Sequence, residues 1–251
     1  MTAENTRKTP HLAEVGRIST MLERLNSLPP LVANGQPVLQ HPVGELTTLL
    51  GSLQHALSGQ ACPVVQFTSA YAGEGAASIG FDMAVVAARQ SGKRTLFINL
   101  NAAPDGGYAP LAQRAGVSLE AFLSTEGGQT SPLVTVQGIP LFYAEMAIQH
   151  GAQLAALNTG FVRNLLADLR GHFDLIVLAS EGGIAQSATN NLGALTDGMV
   201  LVVEAERTRA PVVEQLRQQI EAAGGRLLGS VLNRRRFYIP AAIYNLLFGR
   251  R

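Results

Sequence analysis

From Pro63 onward the chain alternates short β-branched apolar runs with longer stretches of helical periodicity. The runs are Val64 to Thr68, Thr95 to Leu100, Leu141 to Ala144, Leu175 to Leu178, Met199 to Val203 and Leu227 to Leu232. Several are apolar on both faces, as strands buried in a parallel sheet are, and helical patterns separate them. The pattern predicts a three-layer α/β domain with a mostly parallel sheet. Before Pro63 the pattern changes. Val15, Ile18, Met21, Leu22 and Leu25 recur at helical spacings, predicting an amphipathic helix over Leu12 to Leu28 that stops at Pro29-Pro30. A linker rich in Pro, Gly and Gln follows to about Pro42, and a second helix runs from Val43 to Leu57. Residues 1–42 therefore read as an N-terminal arm and 43–251 as the folded domain with a basic C-terminal helix. The arm is either a flexible segment whose helices dock on the domain or a dedicated partner-binding element. Thr125 to Ser131 reads as an exposed connection.

Composition narrows the function classes. The 251 residues are 47% hydrophobic and 15% charged, enough to bury a large core. No window reaches the roughly 18 uncharged apolar residues of a membrane-spanning helix, and the polar first residues lack the apolar core of a secretory signal. A cytoplasmic location is the expectation. Cys62 is the only cysteine, which excludes an internal disulfide framework and a cysteine-based zinc cluster, and the 5 histidines show no metal-ligand spacing. Cys62 is expected to pack beside the first strand. A net charge of +1 gives no sign of a nucleic-acid partner. The charge is uneven, however: after Glu221 there is no acid, while Arg226, Arg234, Arg235, Arg236, Arg250 and Arg251 are all positive.

The candidate chemistry follows the first strand directly. Ser69-Ala70-Tyr71-Ala72-Gly73-Glu74-Gly75-Ala76-Ala77-Ser78 leads into a helical stretch from Ile79 to Arg89. Strand, glycine loop and helix form the context of a phosphate-binding loop, in which backbone N–H groups and the helix N-terminus cradle phosphate oxygens. A working loop adds a lysine after the last glycine and then a hydroxyl that holds magnesium. Those places hold Ala76 and Ala77. Taken alone, Gly73-x-Gly75 is also what a tight strand-to-helix turn requires. The only lysines are Lys8 and Lys93: Lys93 lies beyond the loop's own helix, at the opposite end of the sheet, and Lys8, in the arm, is a remote candidate to substitute.

In its surroundings the loop resembles that of the MinD/ParA-like P-loop ATPases, and most closely that of the bacterial tyrosine kinases (BY-kinases) of the CpsD/CapB type. The resemblance spans roughly Val43 to Tyr244 and rests on several motifs in register. The family's loop reads Ser-Pro-x-Pro-Gly-Glu-Gly-Lys-Ser-Thr, against Ser69 to Ser78 here. Its Leu-Ile-Asp-x-Asp meets Phe97-Ile98-Asn99-Leu100-Asn101, so both carboxylates have become amides. Its Walker B strand, Phe-Asp-x-Ile-Ile-x-Asp-Ser, meets Phe173 to Ser180, with Ala179 where the metal-directed Asp belongs. Thr196-Asp197-Gly198 with Thr208-Arg209 looks like the family's Asp-Gly strand and the start of the next helix. Gly229 to Arg234 looks like its last strand, whose Asn contacts adenine. The resemblance thus implies degenerate catalytic positions at Ala76, Ala77, Asn99, Asn101 and Ala179. It leaves Gly73, Gly75, Ser78 and Asn233 as a vestigial nucleotide or anion site, with Asn233 reading equally as a strand-end cap. Of the family's ring-forming Glu-x-x-Arg-x-x-Arg only Glu45 remains, with Thr48 and Gly51 at the arginine places, so ring assembly is not expected; a homodimer stays open. Of its terminal tyrosine cluster there are only Tyr238 and Tyr244.

The function implied is a catalytically inactive BY-kinase-like regulator or adaptor of an exopolysaccharide synthesis and export complex. The implied partner is the inner-membrane polysaccharide co-polymerase (chain-length regulator) or another export-complex protein. No cofactor is expected beyond weak nucleotide or anion binding. Two other readings stand beside it: an atypical ATPase or tyrosine kinase that uses displaced Glu74, Asp105 or Glu181, and a MinD/ParA-type accessory protein of cellulose synthesis or positioning. Glu181 follows the Walker B-like strand and could face the pocket, but a solvated loop is the expectation for it. At the C-terminus, Arg234, Arg235, Arg236, Arg250 and Arg251 flank a helical face of Ile243, Leu246 and Leu247. That combination suits an anionic membrane surface, where each arginine contributes about 1 kcal/mol, and places the protein at the periphery of a bacterial inner membrane. A terminal helix docked on the domain is the alternative.

Overall fold

The computed structural model describes residues 31–33, 37–101, 106–124, 130–146, 159–185 and 187–235. The expected helix from Leu12, Asp105, most of the connection after Thr125, and the tail from Arg236 to Arg251 lie outside the described residues. The elements are β1 (Leu31–Ala33), α1 (Val43–Ala56), β2 (Val64–Ser69), α2 (Ala76–Ser91), β3 (Thr95–Asn99), a 3-10 turn (Gly106–Tyr108), α3 (Ala109–Ala112), α4 (Leu119–Ser124), β4 (Val134–Val136), β5 (Leu141–Glu145), α5 (Thr159–Leu169), β6 (Leu175–Ala179), α6 (Ser187–Gly193), β7 (Gly198–Glu204), α7 (Ala210–Ala222) and β8 (Leu227–Asn233). The strands lie in the order β1-β4-β5-β3-β6-β2-β7-β8. From β5 to β8 every neighbour is parallel, whereas β4 runs antiparallel to β5 and carries β1 beside it. The expected three-layer, mostly parallel architecture is present.

Two strands escape the sequence pattern. Leu31–Ala33 falls inside the expected linker, yet it pairs in parallel with Val134–Val136, Leu31 opposite Val134. Three residues are too few to display an alternation, and the partner comes from a distant part of the chain. The end of that linker is also fastened down: Arg89 Nη2 donates to the Pro37 carbonyl at 3.1 Å, and the Gln40 and His41 amides donate to Asp82 Oδ2 at 2.8 and 3.0 Å. Ser131, expected in an exposed connection, is buried, and its Oγ accepts from the Leu133 amide at 3.2 Å.

The core explains why the central strands read as continuous apolar runs. β2, β3 and β6 are buried at every position, as parallel strands covered on both faces must be. On one face α2 packs Phe81, Met83 and Val85 with Leu46, Leu50 and Leu53 of α1. On the other, Leu165, Leu166 and Leu169 of α5 pack with Leu96 and Ile98 of β3. Each such side chain contributes about 1.5 to 3 kcal/mol when fully buried. Phe81 stands edge-on to Phe97, 5.3 Å between ring centroids, within a cluster completed by Tyr108 and Tyr143. Removing the Phe81 ring would cost about 3 to 5 kcal/mol. α2 ends at Gly92, whose φ of 60° supplies the left-handed cap.

Candidate functional site

β2, β3, β6, β7 and β8 end at Ser69, Asn99, Ala179, Glu204 and Asn233, all at one edge of the sheet because these strands are parallel. Ligands of open α/β sheets bind at this carboxyl edge. The loop between β2 and α2 crosses it. Gly73 and Gly75 adopt φ of 81° and 94°, which side-chain-bearing residues rarely reach. A Cβ on Gly75 would also run into Asn233 Nδ2. Asn233 is buried, and its Nδ2 donates to the Glu74 carbonyl at 2.8 Å while its Oδ1 accepts from the Arg234 amide at 2.8 Å. The end of β8 is thus tied to the loop's backbone.

The positions that carry charge in a working P-loop are neutral and occupied by packing. Ala76, Ala77 and Ala179 are wholly buried. Ser78, half-buried on the first turn of α2, donates its hydroxyl to Gln40 Oε1 at 3.1 Å. Asn99 and Asn101 bind each other: Asn101 Nδ2 and its own amide donate to Asn99 Oδ1 at 3.0 and 3.2 Å, and Asn99 Nδ2 donates to the Asn101 carbonyl at 3.2 Å. Asn101 Oδ1 then accepts from the Glu181 amide at 2.9 Å. Glu181 is half-buried rather than solvated, and its Oε2 accepts from the Gly73 amide at 2.9 Å. Its expected place in a solvated loop is corrected: the chain turns after β6 so that Gly183 donates to the Ser69 carbonyl at 2.8 Å, which brings Glu181 over the phosphate loop.

Glu74 is fully buried, and its carboxylate takes the Tyr71 amide at 3.1 Å and the Thr208 hydroxyl. The Ser69 hydroxyl donates to the Tyr71 carbonyl at 2.9 Å. Beneath the loop, Gln66 Nε2 donates to Ser180 Oγ at 2.9 Å, and that hydroxyl donates to Thr68 Oγ1 at 3.2 Å. Asp82, also buried, binds the His41 ring at 2.8 Å besides the two amides already named. Asp82 could have been found: it is a lone acid within the apolar run Ile79 to Ala88. Glu181 was signalled by its place after the Phe173 to Ser180 run, but its contact with Gly73 was not, because that depends on how two loops approach in space.

These residues do not fit a magnesium-bound triphosphate. Ala76 brings no cation, Asn99, Asn101 and Ala179 bring no carboxylate, and the carboxylates at the loop hold backbone amides. Among the described residues there is no cluster of three or more metal-ligating side chains. Lys93 lies where expected, at the opposite edge, beside an apolar crevice with Leu50, Leu57 and Met83. Glu45, Thr48 and Gly51 share an exposed face of α1. Arg234 lies 3.3 Å from Glu204, which Arg207 also holds at 2.9 Å. Hydrogen bonds from those arginines hold the Glu204 carboxyl below the usual carboxylate range, outweighing desolvation, which acts the other way. No helix among the described residues is long and apolar enough to cross a membrane.

No protein-family model matches the sequence, and no curated protein does. Solved structures do match. The kinase domain of VpsO is similar at 24% identity and TM-score 0.64, over 77% of this chain and 95% of that one. The chimerical protein CapA2B2 is similar at 19% identity and TM-score 0.69, over 87% of this chain and 99% of that one. The kinase domain of the Escherichia coli tyrosine kinase ETK is similar at 20% identity and TM-score 0.67, over 79% and 78%. The chain has the P-loop α/β fold of the bacterial tyrosine kinase domains.

Proposed function

We propose that this chain is a catalytically silent BY-kinase-like protein that serves as a regulator or adaptor of an exopolysaccharide synthesis and export complex. The observation that carries the proposal is the replacement, within an intact loop backbone, of each charged group of the reaction by a neutral side chain. Phosphoryl transfer is almost entirely positioning plus electrostatic stabilisation, so a pocket with Ala76, Ala77, Asn99, Asn101 and Ala179 lacks the means for it. The proposed partner is the cytoplasmic part of an inner-membrane polysaccharide co-polymerase. Purified protein is expected neither to hydrolyse ATP nor to phosphorylate tyrosine, and Ala76→Lys alone is expected not to restore turnover, because catalytic parts that act as a unit are non-additive. Turnover in a pure preparation that disappears in Glu181→Ala would overturn the proposal in favour of an atypical enzyme.

The basic tail is proposed to attach the protein to the membrane or to a membrane protein, supported by the excess of arginine after Glu221. Arg234 contributes less than its neighbours, since it already lies against Glu204. Binding to vesicles containing phosphatidylserine should weaken with salt, as screening requires, and should fall on truncation after Asn233. Equal binding by the full and shortened chains, both folded, would sink the attachment.

A further inference from the structure

We infer that the phosphate loop is occupied from within, by the Glu181 carboxylate standing where a phosphate oxygen would stand. Glu181 Oε2 accepts from the Gly73 amide at 2.9 Å, the distance of a charge-assisted N–H···O bond. Its other oxygen, Oε1, is shielded from solvent. Glycine loops at helix N-termini bind anions because successive N–H groups converge on one point and the helix dipole adds positive potential there. The loop cannot distinguish a carboxylate from a phosphate on those grounds. A second anion at the same point meets a like charge about 4 Å or less away at a half-buried position, where water screens the repulsion only in part.

The plug is built, not incidental. The Glu181 amide donates to Asn101 Oδ1 at 2.9 Å, and Asn101 is in turn held by Asn99 through Nδ2 at 3.0 Å. Two amides can make that contact because one donates to the other. Aspartates at both places would set carboxylate against carboxylate, and residue 101 would lose the Nδ2 donor that fixes its oxygen beneath the Glu181 amide. The amides at 99 and 101, which leave no carboxylate for magnesium, therefore also support the backbone of the residue that closes the loop. On the reading of the pocket as catalytically silent, this contact keeps the loop and the start of α2 in one conformation regardless of the nucleotide concentration, so the protein presents a constant surface to its partner instead of a nucleotide-driven switch.

The test uses the full chain, with pyrophosphate as the anion in magnesium-free buffer. Glu181→Ala should bind pyrophosphate at least tenfold more tightly than the parent chain by calorimetry, and the Gly73 amide should exchange with solvent at least tenfold faster, with core amides such as Val177 unchanged. Glu181→Gln keeps an acceptor but no charge, so it should gain affinity while retaining more of the Gly73 protection than Glu181→Ala. Asn101→Ala, which removes the acceptor of the Glu181 amide, should release Gly73 in the same direction as Glu181→Ala without touching the loop. Equal pyrophosphate affinity in the parent and Glu181→Ala, or Gly73 exchange that is the same in both, would overturn the inference. ATP turnover by the parent chain is a separate outcome: it would remove the silent reading and leave the pyrophosphate comparison to stand or fall by itself.

Discussion

The two edges of the central sheet use one device for different ends. At the amino edge Asp197 Oδ2 accepts from the Val64 amide at 2.7 Å and from Arg170 at 2.8 Å, and Asp174 Oδ2 accepts from the Arg94 amide at 2.8 Å. Each carboxylate clamps the start of a strand. Cys62 lies in this packed region, and burial pushes its thiol up to about 11 despite the opposing charge of Arg170. At the carboxyl edge Glu74, which the resembled family's loop also carries, holds the Tyr71 amide, and Glu181 takes the Gly73 amide of the glycine loop. The Gly73 amide is one that our inference assigns to a ligand. The difference teaches that a carboxylate on a backbone amide is scaffold where the chain must be held in any case. It is a replacement for a ligand where the fold would otherwise bind one.

Substitutions can break this comparison. Asp197→Ala should have the largest effect: it strips the acceptor from Val64 and leaves half-buried Arg170 with the Cys62 carbonyl but no carboxylate, at a cost of about 3 kcal/mol. For a chain of this size that lowers Tm by roughly 6 to 12 °C in a thermal unfolding scan. Gly75→Ala should come next, at about 2 kcal/mol, because the left-handed backbone and the Asn233 amide both oppose a Cβ; a stability equal to that of the parent chain would mean that the loop is not held as described. Glu181→Ala should cost least, about 1 kcal/mol or less, since water or a buffer anion can satisfy the Gly73 amide once the carboxylate is gone. A loss for Glu181→Ala as large as that for Asp197→Ala, measured by denaturant unfolding, would erase the distinction between the two edges.

How much of this was legible beforehand depends on whether the cause is local. Continuous apolar runs such as Val64 to Thr68 mark central parallel strands because burial on both faces leaves no room for alternation. Glycine at 73 and 75 marks a loop because few other residues tolerate that backbone. The short pair of Leu31–Ala33 and Val134–Val136 was hidden, since its stabilisation comes from a partner about a hundred residues away. Asn99, Asn101 and Ala179 could be read as losses, but the gain at Asn99 and Asn101 could not. It depends on Glu181 arriving over the loop, which follows from the turn after β6 and from no periodicity in the chain.

The central claim is that the loop has kept its backbone and lost its ability to hold a magnesium-bound nucleotide. Its most direct test is calorimetric titration of ATP into the full chain with and without magnesium. The account predicts no saturable binding below about millimolar concentration, and no gain from magnesium, because Ala77, Asn99, Asn101 and Ala179 stand where the hydroxyl and carboxylates that hold the ion belong. Micromolar binding that appears only when magnesium is present would contradict it.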